Sequence, residues 1–353
     1  MMHTFQVKWK SPANIALIKY WGKNGHQLPA NASLSMTLSE ATSTTEVIFS
    51  PLQQDQGPLV QFSFEGHANE AFQQKIEHYL QYLANHEMPF LRQYHLDIRS
   101  SNSFPHSAGI ASSAAFMSSL SLCLCSVEEQ LQEDMGYAFF ERASYIARLG
   151  SGSASRSIYG GYVSWGRSSH VPHSSDEYAT PVNKRVHPAF RNYVDAIIIV
   201  SEQPKAISSS AGHRLMDNHP FHLARYRQAA IHHEDLLLCL LCNDRERFVE
   251  IVEYEALQLH ALLMTSKPSY ILMEPATLYA MQKVREFRKS TGIPICFTLD
   301  AGPNIHLLYA NEYKDAVEEF IRNQIIPGMT QTVRIMFDRL GNGPEQLFFK
   351  NIG

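Results

Sequence analysis

The sequence contains few cysteines, five among 353 residues. A small, odd number is typical of free thiols in a reducing compartment, not of a disulfide framework. The pairs Cys123/Cys125 and Cys239/Cys242 lie in leucine-rich helical patterns, and no second pair follows at the spacing of a zinc site. We therefore predict buried structural thiols.

Four histidines stand in two close pairs, but no cysteine or carboxylate constellation accompanies them; they are His219, His222, His232 and His233. A metal site at these pairs is therefore disfavoured.

The sequence also lacks a surplus of positive charge and any long apolar run. Lys and Arg number 30 against 34 Asp and Glu, a net charge of −4, which excludes a general nucleic-acid binder. An anionic ligand must therefore be met by local positive groups. No apolar run predicts a membrane span, and the first residues do not resemble a signal peptide. We expect a cytosolic protein with neither nucleic-acid nor membrane partners.

Apolar periodicity divides the chain into alternating strands and helices. Strands are predicted at 7–9, 15–20, 44–49, 60–64, 95–99, 159–165, 195–200, 294–298, 305–309 and 332–337. Helices are predicted at 71–84, 110–131, 135–149, 211–241, 244–264, 275–291 and 314–323. Segment 166–191 is rich in Ser, Pro and His and predicts a loop. The mixture predicts an α+β fold rather than a doubly wound sheet, divided into lobes at 1–193 and 194–353.

A run of small residues follows the strand at 95–99 and leads into an apolar helical pattern. From Pro105 to Phe116 it reads PHSAGIASSAAF. Small side chains let backbone amides approach a ligand, and the first turn of a helix offers unpaired N–H groups and a positive dipole. The common nucleotide loop G-x-x-x-x-G-K-[S/T] is absent. The run predicts a phosphate cradle or, equally, a helix start capped by Ser112 or Ser113.

Two further polar clusters predict anion chemistry less specifically. Residues 150–157 read GSGSASRS, in which hydroxyls and amides suit phosphoryl oxygens and Arg156 suits a carboxylate; the same residues would also suit a flexible loop. Residues 297–304 place Asp300 at a strand end before Ala-Gly-Pro, where it projects from a sharp turn or forms a plain Asx turn.

Lysines on an apolar strand provide the fourth signal. In NIALIKYWGK, residues 14–23, period two places Lys19 and Lys23 on the face of Ile15 and Leu17. Such lysines either extend to water or line an anion site together with Asn14 and Tyr20. The segment KAISSSAG, residues 205–212, adds hydroxyls that either bind an anion or cap a helix. The clusters converge on a ligand that carries several phosphates and a carboxylate.

These segments, in this order, resemble the diphosphomevalonate decarboxylases, a branch of the GHMP small-molecule kinase superfamily. The matching segments are PANIALIKYWGK (12–23), ASLS (32–35), AGIASSA (108–114), GSGSASRS (150–157), YGG (159–161), HA (260–261) and DAGPN (300–304). The first and fourth are specific to the decarboxylase branch, whereas G-x-A-S-S-A is shared by GHMP kinases.

The resemblance implies a two-lobed GHMP kinase fold, with a ribosomal protein S5 domain 2-like N-terminal lobe, a ferredoxin-like C-terminal lobe and a ligand cleft between them. It implies that ATP, with Mg²⁺, phosphorylates the tertiary 3-hydroxyl of mevalonate 5-diphosphate. Phosphate and CO₂ then leave, giving isopentenyl diphosphate and ADP. A homodimer is also implied.

Individual roles follow from the same resemblance. Asp300 is expected to be the base or orienting group at the 3-hydroxyl, with Lys19 favouring its ionised form, and Arg156 is expected to orient the substrate carboxylate. Further substrate contacts, mainly to the diphosphate, are implied for Tyr20, Lys23, Ser151, Gly152, Ser153 and Ser209. The ATP phosphate loop corresponds to Gly109, Ile110, Ala111, Ser112 and Ser113, with Ser100, Ser101 and Asn102 nearer the nucleoside. No metal ligands are identified.

The sequence departs from the family pattern near the presumed substrate end. Asn24-Gly25 replaces a charged pair, and His213 and the segment 217–220 (DNHP) replace a Met and a Thr-Ser-Pro segment. The substrate therefore stays open between mevalonate diphosphate and the monophosphate. The same fold would also suit a mevalonate 3-kinase or, less well, a non-catalytic binding module. The joint presence of Asp300, Lys19 and Arg156 favours decarboxylation.

Overall fold

The computed structural model describes residues 3–53, 57–105, 112–132, 138–203, 207–329 and 332–352. In these ranges the strands are β1 (Thr4–Ile18), β2 (Lys23–Asn24), β3 (Leu28–Pro29), β4 (Ser33–Pro51), β5 (Leu59–Phe64), β6 (His67–Ala68), β7 (Tyr94–Asn102), β8 (Tyr162–Trp165), β9 (Ala179–Pro181), β10 (Tyr193–Ile199), β11 (Cys296–Leu299), β12 (Ile305–Ala310), β13 (Arg334–Arg339) and β14 (Glu345–Ile352). The α-helices are α1 (Glu70–His86), α2 (Ser112–Leu131), α3 (Phe139–Gly150), α4 (Ser209–Arg214), α5 (His222–Cys242), α6 (Arg245–Thr265), α7 (Pro275–Thr291) and α8 (Lys314–Phe320). The predicted α+β class is confirmed.

Two antiparallel-rich sheets organise the described part of the chain. The first has the order β14–β1–β4–β7–β5–β6, with β8 paired to β4 and β9 paired to β8; β5 runs parallel to β7. The second has the order β11–β12–β10–β13 and is antiparallel throughout. None of the described helices is both long and apolar enough to cross a bilayer.

Strand β1 connects the cores of the two sheets. Residues 4–10 alternate between buried and partly exposed, as the pattern TFQVKWK predicts, whereas residues 11–18 are buried on both faces. The second half of β1 packs in one apolar cluster with residues of β10, α5 and α6. The two runs predicted at 7–9 and 15–20 are therefore one strand, because a register shift between Pro12 and Asn14 accommodates the proline.

Helix α2 is buried on almost every side. Residues 114–128 of this helix are all buried, under the first sheet and beside α3. Most of these side chains are apolar or small, and its buried serines form hydrogen bonds within the protein, so the helix suits a core. Its cysteines Cys123 and Cys125 are buried and free, as is Cys239, in agreement with the predicted structural thiols; Cys242 is exposed, so its predicted burial is wrong.

Three of the differences between the predicted and the observed elements have clear physical reasons. The helix predicted at 211–241 is interrupted between α4 and α5, where Pro220 cannot donate a backbone hydrogen bond. The loop predicted at 166–191 contains β9, which pairs with β8. Strand β14 was not predicted, because its sequence EQLFFKNI alternates poorly; it pairs with β1.

The predicted lobe division at 193/194 lies at the start of β10, the first strand of the second sheet. The chain does not stay with the second sheet after this point, because β14 returns to the edge of the first. The division into 1–193 and 194–353 stays a prediction.

One carboxylate of β13 ties the two sheets together. Asp338 is buried, and its Oδ1 accepts hydrogen bonds from the amides of Ser39 (2.8 Å) and Glu40 (2.9 Å), while Oδ2 accepts one from the Ala41 amide (2.7 Å). These amides interrupt the regular pairing of β4 with its neighbours. A single side chain thus satisfies three backbone donors across the contact between the sheets.

We expect Asp338→Ala to lower the free energy of unfolding by ~3 kcal/mol, because it leaves several β4 amides without their acceptor. Urea denaturation followed by circular dichroism measures this change. Asp315→Ala, at an exposed position of α8, is the matched control and should shift stability by less than about 0.5 kcal/mol. Equal effects of the two substitutions would contradict the bridging role.

Candidate active site

The ends of β1 and β11 meet at a pocket between the two sheets. Its free volume is about 560 Å³, part of it open to solvent. Several predicted site residues line it together: Asn14, Lys19, Tyr20, Ser153, Arg156, Ser209 and Asp300. Its remaining lining residues are Ala16, Trp21, His213, Leu259 and Ala301. The fold therefore assembles most of the predicted substrate and catalytic residues around one space.

Lys19 is a buried cation held against the carboxylate of Asp300. Its side chain is 2% exposed; Nζ lies 3.3 Å from Oδ1 of Asp300 and donates to the Ala16 carbonyl at 2.7 Å. Burial lowers the pKa of Lys19, although the charge of Asp300 opposes this shift. The Asp300 side chain is 29% exposed and reaches the pocket. A neighbouring ammonium favours an ionised carboxylate, the form that accepts a proton from a hydroxyl.

A network that sequence reasoning missed holds the backbone of Lys19. Glu255 of α6 is fully buried; its Oε2 accepts the Lys19 amide at 2.9 Å, and it pairs with Arg225 of α5 at 2.7 Å through both oxygens. Arg225 also donates to the Lys19 carbonyl at 3.0 Å, and His232 Nδ1 lies 2.7 Å from Glu255 Oε1. No local sequence motif identifies these residues, because their role depends on packing between segments that are distant in the sequence.

The charges in this network determine the protonation of Glu255. Burial alone would raise its pKa, but the Arg225 guanidinium and the hydrogen bonds from His232 and the Lys19 amide lower it to about 2. Glu255 is therefore a carboxylate at neutral pH. His232 belongs to this network and His233 lies 2.9 Å from the Ser164 hydroxyl, so both histidines have structural partners.

Arg156 is a buried guanidinium without a carboxylate partner in the described ranges. Its Nη1 donates to the Ser33 hydroxyl at 2.8 Å, and its Nε lies 3.4 Å from Oδ1 of Asn14. Burial lowers its pKa to about 10, although the charge of Asp300 opposes this shift, so it stays charged at neutral pH. A buried cation that forms no ion pair is costly unless a ligand supplies further negative charge. Arg156 therefore points to an anionic ligand in the pocket.

Asn14 positions Arg156 from within β1. Its Nδ2 donates to the Ser153 carbonyl at 3.1 Å and to the Ser157 hydroxyl at 2.8 Å, which leaves Oδ1 for Arg156. Asn14 thus fixes the 3₁₀ segment Gly152–Ile158 against β1. Asn14 therefore lines the pocket and also holds Arg156 and the 3₁₀ segment in place.

Tyr20 and Gly152 form a tight contact beside the same pocket. A Cβ on Gly152 would lie 2.8 Å from the Tyr20 hydroxyl and from the Trp165 ring, so only glycine fits. The buried Tyr20 hydroxyl has no hydrogen-bond partner in the described part of the chain. Ser151 ends α3 and is partly buried. Orphaned polar atoms at a pocket wall are typical of a site that binds a polar ligand.

Lys23 lies beyond the pocket lining, near the exposed Arg214. Burial and the charge of Arg214 lower the pKa of Lys23. Neither cation makes an ion pair within the described ranges. A second concentration of positive charge thus lies beside the pocket that holds Arg156.

The predicted nucleotide residues are only partly described. Gly109, Ile110 and Ala111 lie outside the described residues. Ser112 opens α2 and Ser113 is exposed in its first turn, where backbone N–H groups suit phosphate oxygens. On β7, Ser101 is exposed and the buried Oδ1 of Asn102 has no described partner, which fits a nucleoside contact. Ser100 differs: its buried hydroxyl bonds to Thr45 of β4 at 3.1 Å.

Comparisons with known proteins agree with this geometry. Residues 11–179 match the family model of the diphosphomevalonate decarboxylase-like N-terminal domain, and residues 196–345 match that of the mevalonate 5-diphosphate decarboxylase C-terminal domain. The chain is 31% identical to the diphosphomevalonate decarboxylase of Aspergillus fumigatus, with 90% of this chain and 80% of that protein covered.

The chain belongs to the diphosphomevalonate decarboxylase family. The mevalonate diphosphate decarboxylase structure from Staphylococcus aureus has a TM-score of 0.83 at 28% identity, with 98% of both chains covered. A structure of MDDEF in complex with MVAPP, AMPPCP and magnesium has a TM-score of 0.80 at 27% identity and covers 98% of this chain and 99% of that one. The predicted two-lobed GHMP kinase fold is confirmed.

His213, one of the residues at which the sequence departs from the family pattern, lies in the pocket itself. His213 of α4 is buried against Tyr20 and Trp21 and lines the pocket with Asp300. His219 is structural, because its Nε2 lies 3.0 Å from the Leu262 carbonyl. His260, which the family match included without a role, lies 3.1 Å from the Asp300 carbonyl and supports the turn after β11.

We expect Glu255→Gln to destabilise the protein by ~3 kcal/mol at pH 7, because it leaves the buried Arg225 uncompensated. Glu255 has a lowered pKa in the folded state, so its stabilisation is present above about pH 4.5 and is lost as the pH falls towards 2. The difference in unfolding free energy between wild type and variant should therefore shrink below pH 4.5. Urea denaturation at several pH values measures it.

Glu246→Gln, exposed on the same helix, is the control for this experiment. A wild-type-like stability of Glu255→Gln at pH 7, or a difference that does not change with pH, would refute the assigned role.

Proposed function

We propose that this protein catalyses the ATP-dependent decarboxylation of mevalonate 5-diphosphate to isopentenyl diphosphate, ADP, phosphate and CO₂. One observation carries the proposal beyond family membership. Asp300, Lys19 and Arg156 line the same pocket, where an acid meets a buried ammonium and a buried guanidinium that forms no ion pair in the described ranges. This set offers a proton acceptor and anion-binding groups to one small polyanion.

In the first step Asp300 orients the 3-hydroxyl and accepts its proton. The hydroxyl oxygen then attacks the γ-phosphorus of ATP, a P–O bond forms, and the bond to ADP breaks. Lys19, 3.3 Å from Asp300, stabilises the carboxylate before the transfer. General base catalysis of this kind contributes about 10²- to 10⁴-fold.

In the second step the C3–O bond breaks and phosphate leaves with its electron pair. Positive charge develops at C3, and the electrons of the breaking bond to the carboxylate carbon form the C2–C3 double bond as CO₂ departs. Arg156 orients the carboxylate for this fragmentation. Tight pairing with the carboxylate would stabilise the ground state and oppose loss of CO₂, so we assign Arg156 to orientation.

The cations beside the pocket support a diphosphate as the other end of the substrate. Lys23 and Arg214 approach each other closely enough that one lowers the pKa of the other. Like charges so placed favour binding of an anion that carries more than one negative charge. The monophosphate would leave part of this repulsion uncompensated.

Two observations support ATP and Mg²⁺. One is the set of described residues in the predicted ATP-binding region, and the other is the similar structure of MDDEF in complex with AMPPCP and magnesium. The first turn of α2, with Ser112 and Ser113, suits phosphate oxygens, and Asn102 offers an acceptor that no other described residue satisfies. Mg²⁺ supplies neutralisation of phosphate charge in such reactions. The described residues contain no group of three metal-ligating side chains, so the ATP phosphates would provide most of its ligands.

A homodimer, as the family resemblance implies, and a cytosolic location, as the composition predicts, complete the proposal. Size-exclusion chromatography with light scattering tests the dimer.

Product analysis separates the proposed reaction from the reactions of a 3-kinase or a monophosphate decarboxylase. Purified protein incubated with Mg²⁺-ATP and either mevalonate 5-diphosphate or the 5-monophosphate should release CO₂ and an isopentenyl product only from the diphosphate. Mass spectrometry identifies the products. A stable 3-phosphate without CO₂ would indicate a 3-kinase, preference for the monophosphate a different decarboxylase, and ATP-independent binding alone a non-catalytic module.

We expect Asp300→Asn to lower kcat by ~10³-fold, because the amide cannot accept the hydroxyl proton. Binding of ATP, measured by calorimetry, should stay within about threefold of wild type. Asp315→Asn, on the exposed face of α8, is the control and should keep full activity. Near-normal turnover by Asp300→Asn would overturn the role of this acid.

We expect Arg156→Lys to lower kcat/KM by ~10- to 100-fold, because one ammonium cannot replace a planar guanidinium that also bonds Asn14 and Ser33. Steady-state kinetics with mevalonate diphosphate measures the loss. Arg167→Lys, at a largely exposed arginine, is the matched control. An unchanged kcat/KM for Arg156→Lys would remove the carboxylate assignment.

A further inference from the structure

The ring of His213 is held in one tautomer at the wall of the pocket. The amide of Gly22 donates a hydrogen bond to Nδ1 of His213 at 3.0 Å. A ring nitrogen that accepts an N–H must carry a lone pair, so the proton of the neutral imidazole resides on Nε2. The Gly22 contact therefore turns the opposite edge of the ring into a hydrogen-bond donor.

Aromatic packing fixes the position of this donor. The His213 ring centroid lies 4.3 Å from that of Tyr20 and 4.8 Å from that of Trp21. The adjacent Gly212 allows this contact, since a Cβ there would lie 2.6 Å from the Trp21 ring. His213 is 6% exposed, so the ring has little freedom to rotate away.

The ring is uncharged at neutral pH. Burial, together with the nearby charges of Lys23 and Arg156, lowers the pKa of His213 to about 3. Protonation of Nδ1 would also remove the hydrogen bond from Gly22. The side chain therefore offers an N–H group without adding another positive charge to the pocket.

Nε2 has no hydrogen-bond partner within the described residues, although the side chain lines the pocket with Arg156, Ser209 and Asp300. Because this N–H has no partner in the described part of the protein, a ligand in the pocket can accept a hydrogen bond from it without displacing another contact. We propose that His213 is a substrate-binding residue whose neutral Nε2–H donates a hydrogen bond to an anionic oxygen of the phosphorylated substrate. This inference rests on the proposed function.

The surrounding charges explain why a neutral donor suits this position. The charges of Lys23 and Arg156 already act on His213, and another cation at this position would raise the repulsion among them in the ligand-free protein. A neutral imidazole adds a directed hydrogen bond, which orients one oxygen of the substrate. Carboxylate and phosphate oxygens share this chemistry, so the test must distinguish them.

Two substitutions separate substrate binding from a structural role. His213→Asn keeps an acceptor near the Nδ1 position for the Gly22 amide but removes the donor at Nε2. His213→Gln places its amide N–H near the Nε2 position but loses the acceptor for Gly22. We expect His213→Asn to weaken binding of mevalonate 5-diphosphate by ~10- to 100-fold and His213→Gln by less than about fivefold, measured by calorimetry.

A purely structural role predicts the reverse order, because only His213→Asn keeps the Gly22 hydrogen bond. Thermal unfolding of both variants monitors this structural contribution separately from binding. Direct evidence comes from ¹⁵N NMR of the histidine-labelled protein. The free protein should show the Nε2–H tautomer of His213, and the Nε2 proton should shift downfield when the substrate binds.

Two further probes identify the oxygen that His213 contacts. Isopentenyl diphosphate lacks the carboxylate, and inorganic pyrophosphate lacks the carbon chain. If His213→Asn weakens binding of all three ligands, the contact is to a phosphate oxygen; if it weakens only mevalonate diphosphate, the contact is to the carboxylate.

Equal affinities of wild type and His213→Asn for mevalonate diphosphate, or greater loss in His213→Gln than in His213→Asn, would overturn the inference while leaving the proposed function intact. Failure of the wild-type protein to bind mevalonate diphosphate would instead refute the proposed function, and the inference with it.

Discussion

The buried contact between Glu255 and Arg225 is the constraint on which the site depends. Both side chains reach the backbone of Lys19, Glu255 at its amide and Arg225 at its carbonyl. They come from α6 and α5, whereas Lys19 follows the last residue of a strand in the first sheet. A buried ion pair adds little net stability compared with an apolar pair of the same shape. Its contribution here is positional, because it fixes where β1 ends and therefore where the Lys19 ammonium meets Asp300.

The electrostatics of the pocket depend on how deeply each of its charged groups is buried. Lys19 is almost fully covered, whereas Asp300 remains partly open to the pocket. The ammonium acts on the acid through protein of low polarity, and the acid still reaches a ligand. Arg156, also buried, lacks a carboxylate partner among the described residues and is held by the neutral groups of Asn14 and Ser33. Two buried cations and one acid therefore leave a net positive charge among these three groups, which suits an anionic ligand.

The sequence indicated which residues converge on one pocket more reliably than it predicted where the helices and strands begin and end. The segments around Lys19, Arg156 and Asp300 carry specific residue types at fixed local spacing, so their resemblance to the family was recognisable. Strand β14 and the break between α4 and α5 depend on pairing and packing with distant segments, which periodicity does not report. Glu255 lies in an ordinary helical pattern, and only the packing of α6 against β1 gives it a role.

At His213 the family resemblance and the local structure lead to different conclusions. In the sequence it is a departure that leaves the choice of substrate open, but in the structure its ring is packed in place and lines a pocket with Asp300, Lys19 and Arg156. The Gly22 amide selects the tautomer, the Tyr20 and Trp21 rings hold the imidazole in place, and burial with the neighbouring cations keeps it uncharged. Agreement among independent contacts is characteristic of a preorganised group rather than a tolerated substitution. Because such a group needs no reorganisation when the ligand arrives, its hydrogen bond adds to orientation at little entropic cost.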